Sequence, residues 1–159
     1  MNRAKELIGL AREKKKTICS CESFTAGLFC ATLGGIPGAS AVLKGGLVTY
    51  FTPMKEVLAH VDSHLIKQYG VVSAPCAKAM AENTRQIMDA DYCVSFTGNA
   101  GPSAIEGKPA GLIYCALASK EDCQVFSWQL DLERNALREK AVEARIEKLI
   151  EALEHTDKK

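Results

Sequence analysis

The sequence predicts an α/β protein: a layered domain around a mostly parallel sheet, folded as a single domain over residues 1–159. Short apolar, β-branched runs alternate with longer segments whose apolar residues recur at helical spacing. Glycine, proline and hydroxyl residues punctuate the junctions between them. A length of 159 residues, with 47% hydrophobic and 25% charged residues, suits one soluble domain with a sizeable core. There is no internal repeat, linker or low-complexity segment.

In chain order, residues 3–15 place Ala4, Leu7, Ile8 and Ala11 on one helical face. Lys14-Lys15-Lys16 follow at the end of that helix, where cations suit its dipole. Thr17 to Gly27 read as a short buried strand, then a turn of small and hydroxyl residues. A helix from about residue 25 to Leu33 comes next, stopped by Gly34-Gly35-Ile36-Pro37-Gly38. Residues 39–50 read as a strand in which Gly45-Gly46 marks a bulge or a close backbone approach. Thr52-Pro53 opens a helical turn as N-cap and first position.

Asp62 caps a short helix over 63–69, ended by Gly70, and Ser73-Ala74-Pro75 starts a longer one. That longer helix carries Ala77, Met80, Ala81, Thr84, Ile87 and Met88 on one face. A buried strand at 92–97 runs into a long small-residue loop, 98–111, and such loops in compact domains are usually functional or disordered. Strands at 112–118 and 124–130 precede a final helix from Glu133, with Arg134, Arg138 and Arg145 near its apolar stripe. The tail from 156 to 159 is expected to fray.

Bulk properties narrow the function. A net charge of +1 gives no support to nucleic-acid binding. No apolar run approaches the roughly 20 residues a membrane helix needs, and the N-terminus carries no signal-peptide apolar segment. A cytoplasmic protein with no membrane partner is therefore expected. The seven cysteines are scattered, odd in number and free of any CxxC pair, so they read as reduced core residues. His60 and His64 are four apart, but Asp62 between them breaks the helix, and no metal site is expected.

Ligands of open α/β sheets sit beyond the carboxyl ends of strands. That rule brings together the elbow at Ser23–Gly27, the strand end with Tyr50 and Lys55, and the glycine loop at Gly98–Gly111. At the elbow, Ser23 and Thr25 lie beside the free N–H groups of a helix start. They can hold an anion, carry a nucleophile or serve as an ordinary N-cap. Lys55 falls in the first turn of a helix, where the positive dipole end lowers an amine's pKa, as a general base requires; the alternative is a lysine pointing into water. A neutral lysine within reach of a serine can perform acyl transfer, and a nearby tyrosine can relay protons. No GxGxxG and no GxxxxGK[ST] sequence is present, which argues against a dinucleotide or nucleoside triphosphate site.

Several motifs, taken together and in order, resemble the CinA C-terminal domain family. They are Glu22-Ser23-Phe24-Thr25-Ala26-Gly27, Pro37-Gly38-Ala39-Ser40-Ala41, Gly46-Leu47-Val48-Thr49-Tyr50 and Lys55. Gly70-Val71-Val72-Ser73, Thr97-Gly98-Asn99-Ala100-Gly101-Pro102 and Lys108-Pro109-Ala110-Gly111 continue the series. The resemblance spans about residues 5–152.

It implies a three-layer α/β/α sandwich, often dimeric, that hydrolyses the carboxamide of nicotinamide mononucleotide to nicotinate mononucleotide and ammonia, with no metal or other cofactor. The expected partners are a small-molecule nucleotide substrate and further copies of the chain. By the same resemblance, Ser23 and Lys55 match the motif serine and lysine, and Tyr50 and Ser40 the tyrosine and second serine that accompany them. Either Ser23 or Ser40 can then be the nucleophile. Thr25, Gly27, Thr97, Gly98, Ala100 and Gly101 match ligand-cradling segments, and Arg138 matches an arginine of the last helix.

Two departures bear on substrate identity rather than on fold. The family's Cys-Thr-Gly-Gly is Phe24-Thr25-Ala26-Gly27 here, and the glycine pair that ends its Gly-Ile-Ala-Gly-Pro-x-Gly-Gly loop is Ala104-Ile105. A non-catalytic nucleotide- or phosphate-binding module of the same fold is the alternative function. A redox role for the cysteines is a third.

Overall fold

The structure, a computed structural model, describes residues 3–156. Its sheet has five strands in the order β2-β1-β3-β4-β5. These are β1 (Ile18–Glu22), β2 (Leu43–Val48), β3 (Tyr92–Gly98), β4 (Leu112–Ala118) and β5 (Cys123–Gln129). β1 pairs in parallel with both β2 and β3, whereas β4 is antiparallel to β3 and to β5. Only β4 therefore runs against the common direction among the described strands, and the three-layer architecture is the one the family resemblance implies.

Helices cover both faces. α1 (Arg3–Glu13), α2 (Leu28–Gly34) and α6 (Arg134–His155) pack on one side. The main core lies between them and the sheet, with Leu7, Ile18, Phe29, Leu33, Phe96, Ile113, Leu137 and Leu149 fully buried. α5 (Ala74–Met88) covers the other face, with α4 (Ser63–Tyr69) beside it. There the contacts are small: Ala77 and Ala81 meet Ala116 and Ala118, and Cys21 meets Cys76 and Met80. Short side chains let α5 approach the sheet closely. All seven cysteines are free thiols, and five of them are buried, filling space as small hydrophobes.

Strand β1 is buried along its whole length because it has a strand on each side and a helix layer on each face. The register between β1 and β2 shifts between Ile18 and Cys19, so β2 carries an extra residue just before Gly45, whose φ is +143°. A Cβ at Gly46 would come within 2.5 Å of the Ser20 hydroxyl and the Cys30 thiol, so the close approach concerns a helix and a neighbouring strand.

Some local expectations need correction. Residues Ala39–Ala41 form a 3-10 turn, and the strand starts only at Leu43. The N-cap of α3 (Thr52–Val57) is Phe51 rather than Thr52. Thr156 is tied down, its hydroxyl donating to the Leu153 carbonyl at 2.7 Å. The expected fraying of residues 157–159 lies outside the described residues.

Candidate active site

The carboxyl ends of β1, β2 and β3 point to one rim, because the three strands are mutually parallel. β1 ends in the elbow at Ser23, whose N–H donates to the Phe96 carbonyl of β3 at 2.8 Å. β2 is continued by Thr49, whose N–H donates to the Glu22 carbonyl at 2.8 Å. The rim holds a cavity of about 280 Å³ lined by Ser23, Phe24, Tyr50, Thr52, Lys55, Val71, Val72, Arg134 and the 97–103 segment.

At its floor sits Lys55. α3 turns this lysine inward, leaving it 1% exposed. Its Nζ lies 2.9 Å from Ser23 Oγ and donates to the Thr49 carbonyl at 2.6 Å. No carboxylate is within ion-pair reach of it among the described residues. Burial drives its pKa below the usual 10.5; the thiols of Cys76 and Cys21 and the carboxylate of Glu106 pull the other way and do not prevail. The cause is thus desolvation, where the sequence pointed to the field of a helix start. A solvated Lys55 is excluded.

The elbow works differently from its sequence expectation. Glu22, fully buried, fills the N-terminus of α2. Its carboxylate accepts from the N–H of Phe29 at 2.9 Å and of Cys30 at 3.2 Å. It also accepts from the hydroxyls of Ser20 and Thr25, each at 2.9 Å. The N–H groups of Leu28 and Ala31 donate to Thr25 and Gly27 carbonyls. The helix start is therefore occupied by the protein's own anion and holds no place for a ligand's.

Thr25 is buried with its hydroxyl on Glu22, and Gly27 is the N-cap of α2 at φ +98°. Neither lines the cavity; both shape the elbow that carries Ser23. Ala26 adopts a left-handed φ of +49°, the conformation for which the family's glycine is suited.

Ser40 lies elsewhere. It is exposed on the 3-10 turn that precedes β2, and so at the opposite end of the strand from the rim. A strand of this length separates them by about 20 Å at about 3.3 Å per residue. Within one chain Ser40 cannot share Lys55 with Ser23.

On the far wall, Thr97, Gly98, Ala100 and Gly101 do line the cavity. The Thr97 hydroxyl donates to the Val71 carbonyl at 2.7 Å. Gly98 is dictated by packing: a Cβ there would meet Ile113 at 2.7 Å. Asn99, 1% exposed, organises the loop. Its side chain accepts from Gly101 N–H at 2.9 Å and donates to the carbonyls of Ser103 at 2.7 Å and Lys108 at 3.2 Å.

Glu106 docks the rest of the loop, accepting from the N–H groups of Val71 at 2.9 Å and Val72 at 3.1 Å. Asn99 and Glu106 were not singled out from the sequence. The signal for Asn99 was its place inside the Thr97–Pro102 motif, and for Glu106 its place in a long loop with its own polar side chains.

The arginines divide their work. Arg138 donates to the carbonyls of Phe24 at 3.0 Å and Thr25 at 2.9 Å, bracing the elbow from outside the cavity. Arg134 lines the cavity and donates to Gly101 O at 2.8 Å and to Tyr50 Oη at 2.6 Å. Arg145 is buried against Phe126 and Trp128, its guanidinium carbon 4.1 Å and 5.0 Å from the ring centroids, far from the rim.

An α/β/α sandwich with a buried serine–lysine pair on its carboxyl rim is a scaffold chemically able to perform acyl transfer. The chain belongs to the CinA C-terminal domain family, whose model matches residues 2–153. It is 46% identical over 131 residues, 82% of its own length, to a competence-damage inducible protein of Listeria welshimeri. A protein of the same name from Geobacillus sp. is 43% identical over 135 residues, 84% of this chain. The chain spans only 32% of the length of each of these relatives.

The crystal structure of a competence/damage inducible protein from Agrobacterium tumefaciens superposes with a TM-score of 0.90 at 30% identity, covering 96% of this chain and 93% of that one. A CinA superfamily protein from Klebsiella pneumoniae gives 0.92 at 23% identity, with 96% of both chains covered, and shows the same fold.

Proposed function

We propose that the protein hydrolyses the carboxamide of nicotinamide mononucleotide to nicotinate mononucleotide and ammonia, a recycling step for pyridine nucleotides. The observation that carries this reading is the 2.9 Å contact between Lys55 Nζ and Ser23 Oγ, with the amine buried and its pKa lowered. A binding module has no need of an amine kept from water and without a carboxylate partner. A base that must be neutral does.

In the proposed reaction, neutral Lys55 takes the Ser23 proton as Oγ attacks the amide carbon. The tetrahedral adduct collapses, its C–N bond breaks, and Lys55 returns the proton to the departing ammonia. An acyl ester on Ser23 remains. Water, deprotonated by Lys55, then attacks that ester; the acyl–Oγ bond breaks, Ser23 Oγ takes the proton back from Lys55, and the acid is released. The Lys55 bond to Thr49 O holds the amine in position through both halves.

The family resemblance further implies a dimer. Exposed Val48, Phe51, Val57 and Leu58, clustered where β2 leads into α3, are the surface such a contact would bury. No helix among the described residues is long and apolar enough to cross a membrane. Together with the seven free thiols, this supports a reducing, cytoplasmic setting.

The test is ammonia release from nicotinamide mononucleotide by wild type, Ser23→Ala, Ser40→Ala and Lys55→Ala. Activity in wild type and Ser40→Ala, with none in the other two, supports the reading. Undiminished turnover in Lys55→Ala sinks it.

A further inference from the structure

We infer that a cavity at the opposite end of the sheet from Ser23 is a second binding site, and that it takes an aliphatic diamine or polyamine. The site stands apart from the amidohydrolase reading and shares no residue with the cavity of the rim.

This cavity, of about 470 Å³, lies where β3 starts, β4 turns into β5 and α6 ends. β4 is antiparallel to β3, so its last residues lie beside the first residues of β3, away from the rim. Three carboxylates line the cavity, Glu121, Asp122 and Glu151, against one lysine, Lys148, and one histidine, His155.

Tyr92 is the residue that points to a ligand. It is 7% exposed, and it belongs to the main core. Its hydroxyl has no hydrogen-bond partner among the described residues. A buried phenol ordinarily finds one. Tyr92 also lines the cavity, so the open hydroxyl is left to whatever enters. Burial, with the carboxylates of Glu121, Asp91 and Asp122, pushes its pKa above the usual 10. The phenol therefore stays neutral, and its oxygen can accept from an ammonium.

Charge decides the class of ligand. Glu121 and Asp122 make no ion pair among the described residues, and their carboxylates meet only the Ser119 hydroxyl, at 3.3 Å and 3.2 Å. Lys148 is engaged, its Nζ 3.2 Å from Glu151 and 5.6 Å from the Phe126 ring centroid. An anion entering here would meet two unpaired carboxylates. The end of α6 adds the negative pole of a 22-residue helix. Lys14 already donates to one carbonyl of that end, Leu153 O, at 2.5 Å, so an ammonium is what it receives.

A bare metal ion fits poorly, because no three potential ligands converge among the described residues. The carboxylates stand on two elements, the β4–β5 turn and α6, while Leu117 and Ala152 give the cavity an apolar wall. Two ammonium groups joined by methylenes match that layout. Each charge meets a carboxylate, and the stem covers the apolar side chains.

The test is calorimetric titration of the full chain with diaminobutane, with butylamine as the single-charge control and ionic strength matched by sodium chloride. Wild type should bind one diaminobutane per chain saturably, and butylamine at least about fivefold more weakly. Tyr92→Phe keeps the ring in the core and should weaken diaminobutane binding about tenfold. The exposed double variant Glu121→Gln/Asp122→Asn should weaken it about as much. Lys148→Met removes the competing ammonium from Glu151 and should bind diaminobutane more tightly, a change that lost stability could not produce. No saturable binding to wild type, equal binding of the two amines, unchanged affinity in Tyr92→Phe or in the double variant, or no tightening in Lys148→Met overturns the inference. None of these outcomes touches the Ser23–Lys55 chemistry.

Discussion

Replacing Lys55 by methionine separates chemistry from stability, because activity should collapse while opposed terms leave stability nearly unchanged at neutral pH. Methionine has nearly the length of lysine and no amine. A general base contributes about 10²–10⁴-fold to a rate, so kcat for ammonia release should fall by at least about 100-fold.

Stability is a contest of opposed terms. The variant loses the hydrogen bonds to Ser23 Oγ and Thr49 O, about 1 kcal/mol each. It gains relief from burying an amine that is 1% exposed with no counter-ion, at about 1.4 kcal/mol for each unit by which burial depresses the pKa. At neutral pH the balance should lie within about 2 kcal/mol of zero.

The pH dependence fixes the sign. The folded pKa of Lys55 lies below its unfolded value of 10.5. Below the folded pKa the wild type carries the whole penalty of charging a buried amine. That penalty shrinks as pH rises towards 10.5 and is gone above it. Urea denaturation at pH 7 and pH 10 should therefore show wild type gaining on Lys55→Met as pH rises. A variant within tenfold of wild-type kcat, or a stability difference that is flat in pH, refutes the reasoning.

Other substitutions probe the scaffold. Glu22→Ala strands two helix N–H groups and two hydroxyls, and should cost about 3 kcal/mol or more in urea denaturation. Ala26→Gly relieves a left-handed alanine at φ +49° and should raise stability by up to about 1 kcal/mol, read as a higher Tm.

Burial alone would raise the pKa of Glu106, but the Val71 and Val72 N–H groups and Lys108 together hold it below the usual 4.5. Its docking of the loop is therefore complete above pH 4.5 and lost as pH falls through the lower folded value. Hydrogen exchange at the Val71 and Val72 amides should accelerate across that acid range in wild type. In Glu106→Gln it should already be fast at neutral pH.

The layer order was legible because each element carries its own period and punctuation: the apolar stripe of α6, the all-buried β1, the proline start of α5. The rim was legible too, since parallel strands send their ends to one side. What the sequence could not show was how polar groups pair off. Glu22 stands one residue before the candidate nucleophile, yet only the fold reveals that it plugs the helix start and engages Thr25. Ser40 and Tyr50 flank the same strand, and strand length alone puts Ser40 at the wrong end.

Arg138 and Arg134 are one helical turn apart on α6. Which of them faces the cavity depends on how α6 rotates against the elbow, and no spacing encodes that. Lys55 was found for the wrong physical reason: a helix dipole suggested the low pKa that burial produces.

The most direct measurement is mass spectrometry of peptides from protein quenched during turnover of nicotinamide mononucleotide. The acyl group of nicotinate mononucleotide should be found as an ester on the peptide bearing Ser23. It should be absent in Ser23→Ala and accompanied by stoichiometric ammonia. An ester on the peptide bearing Ser40, or ammonia released by Ser23→Ala at the wild-type rate, would contradict the assignment of Ser23 as nucleophile.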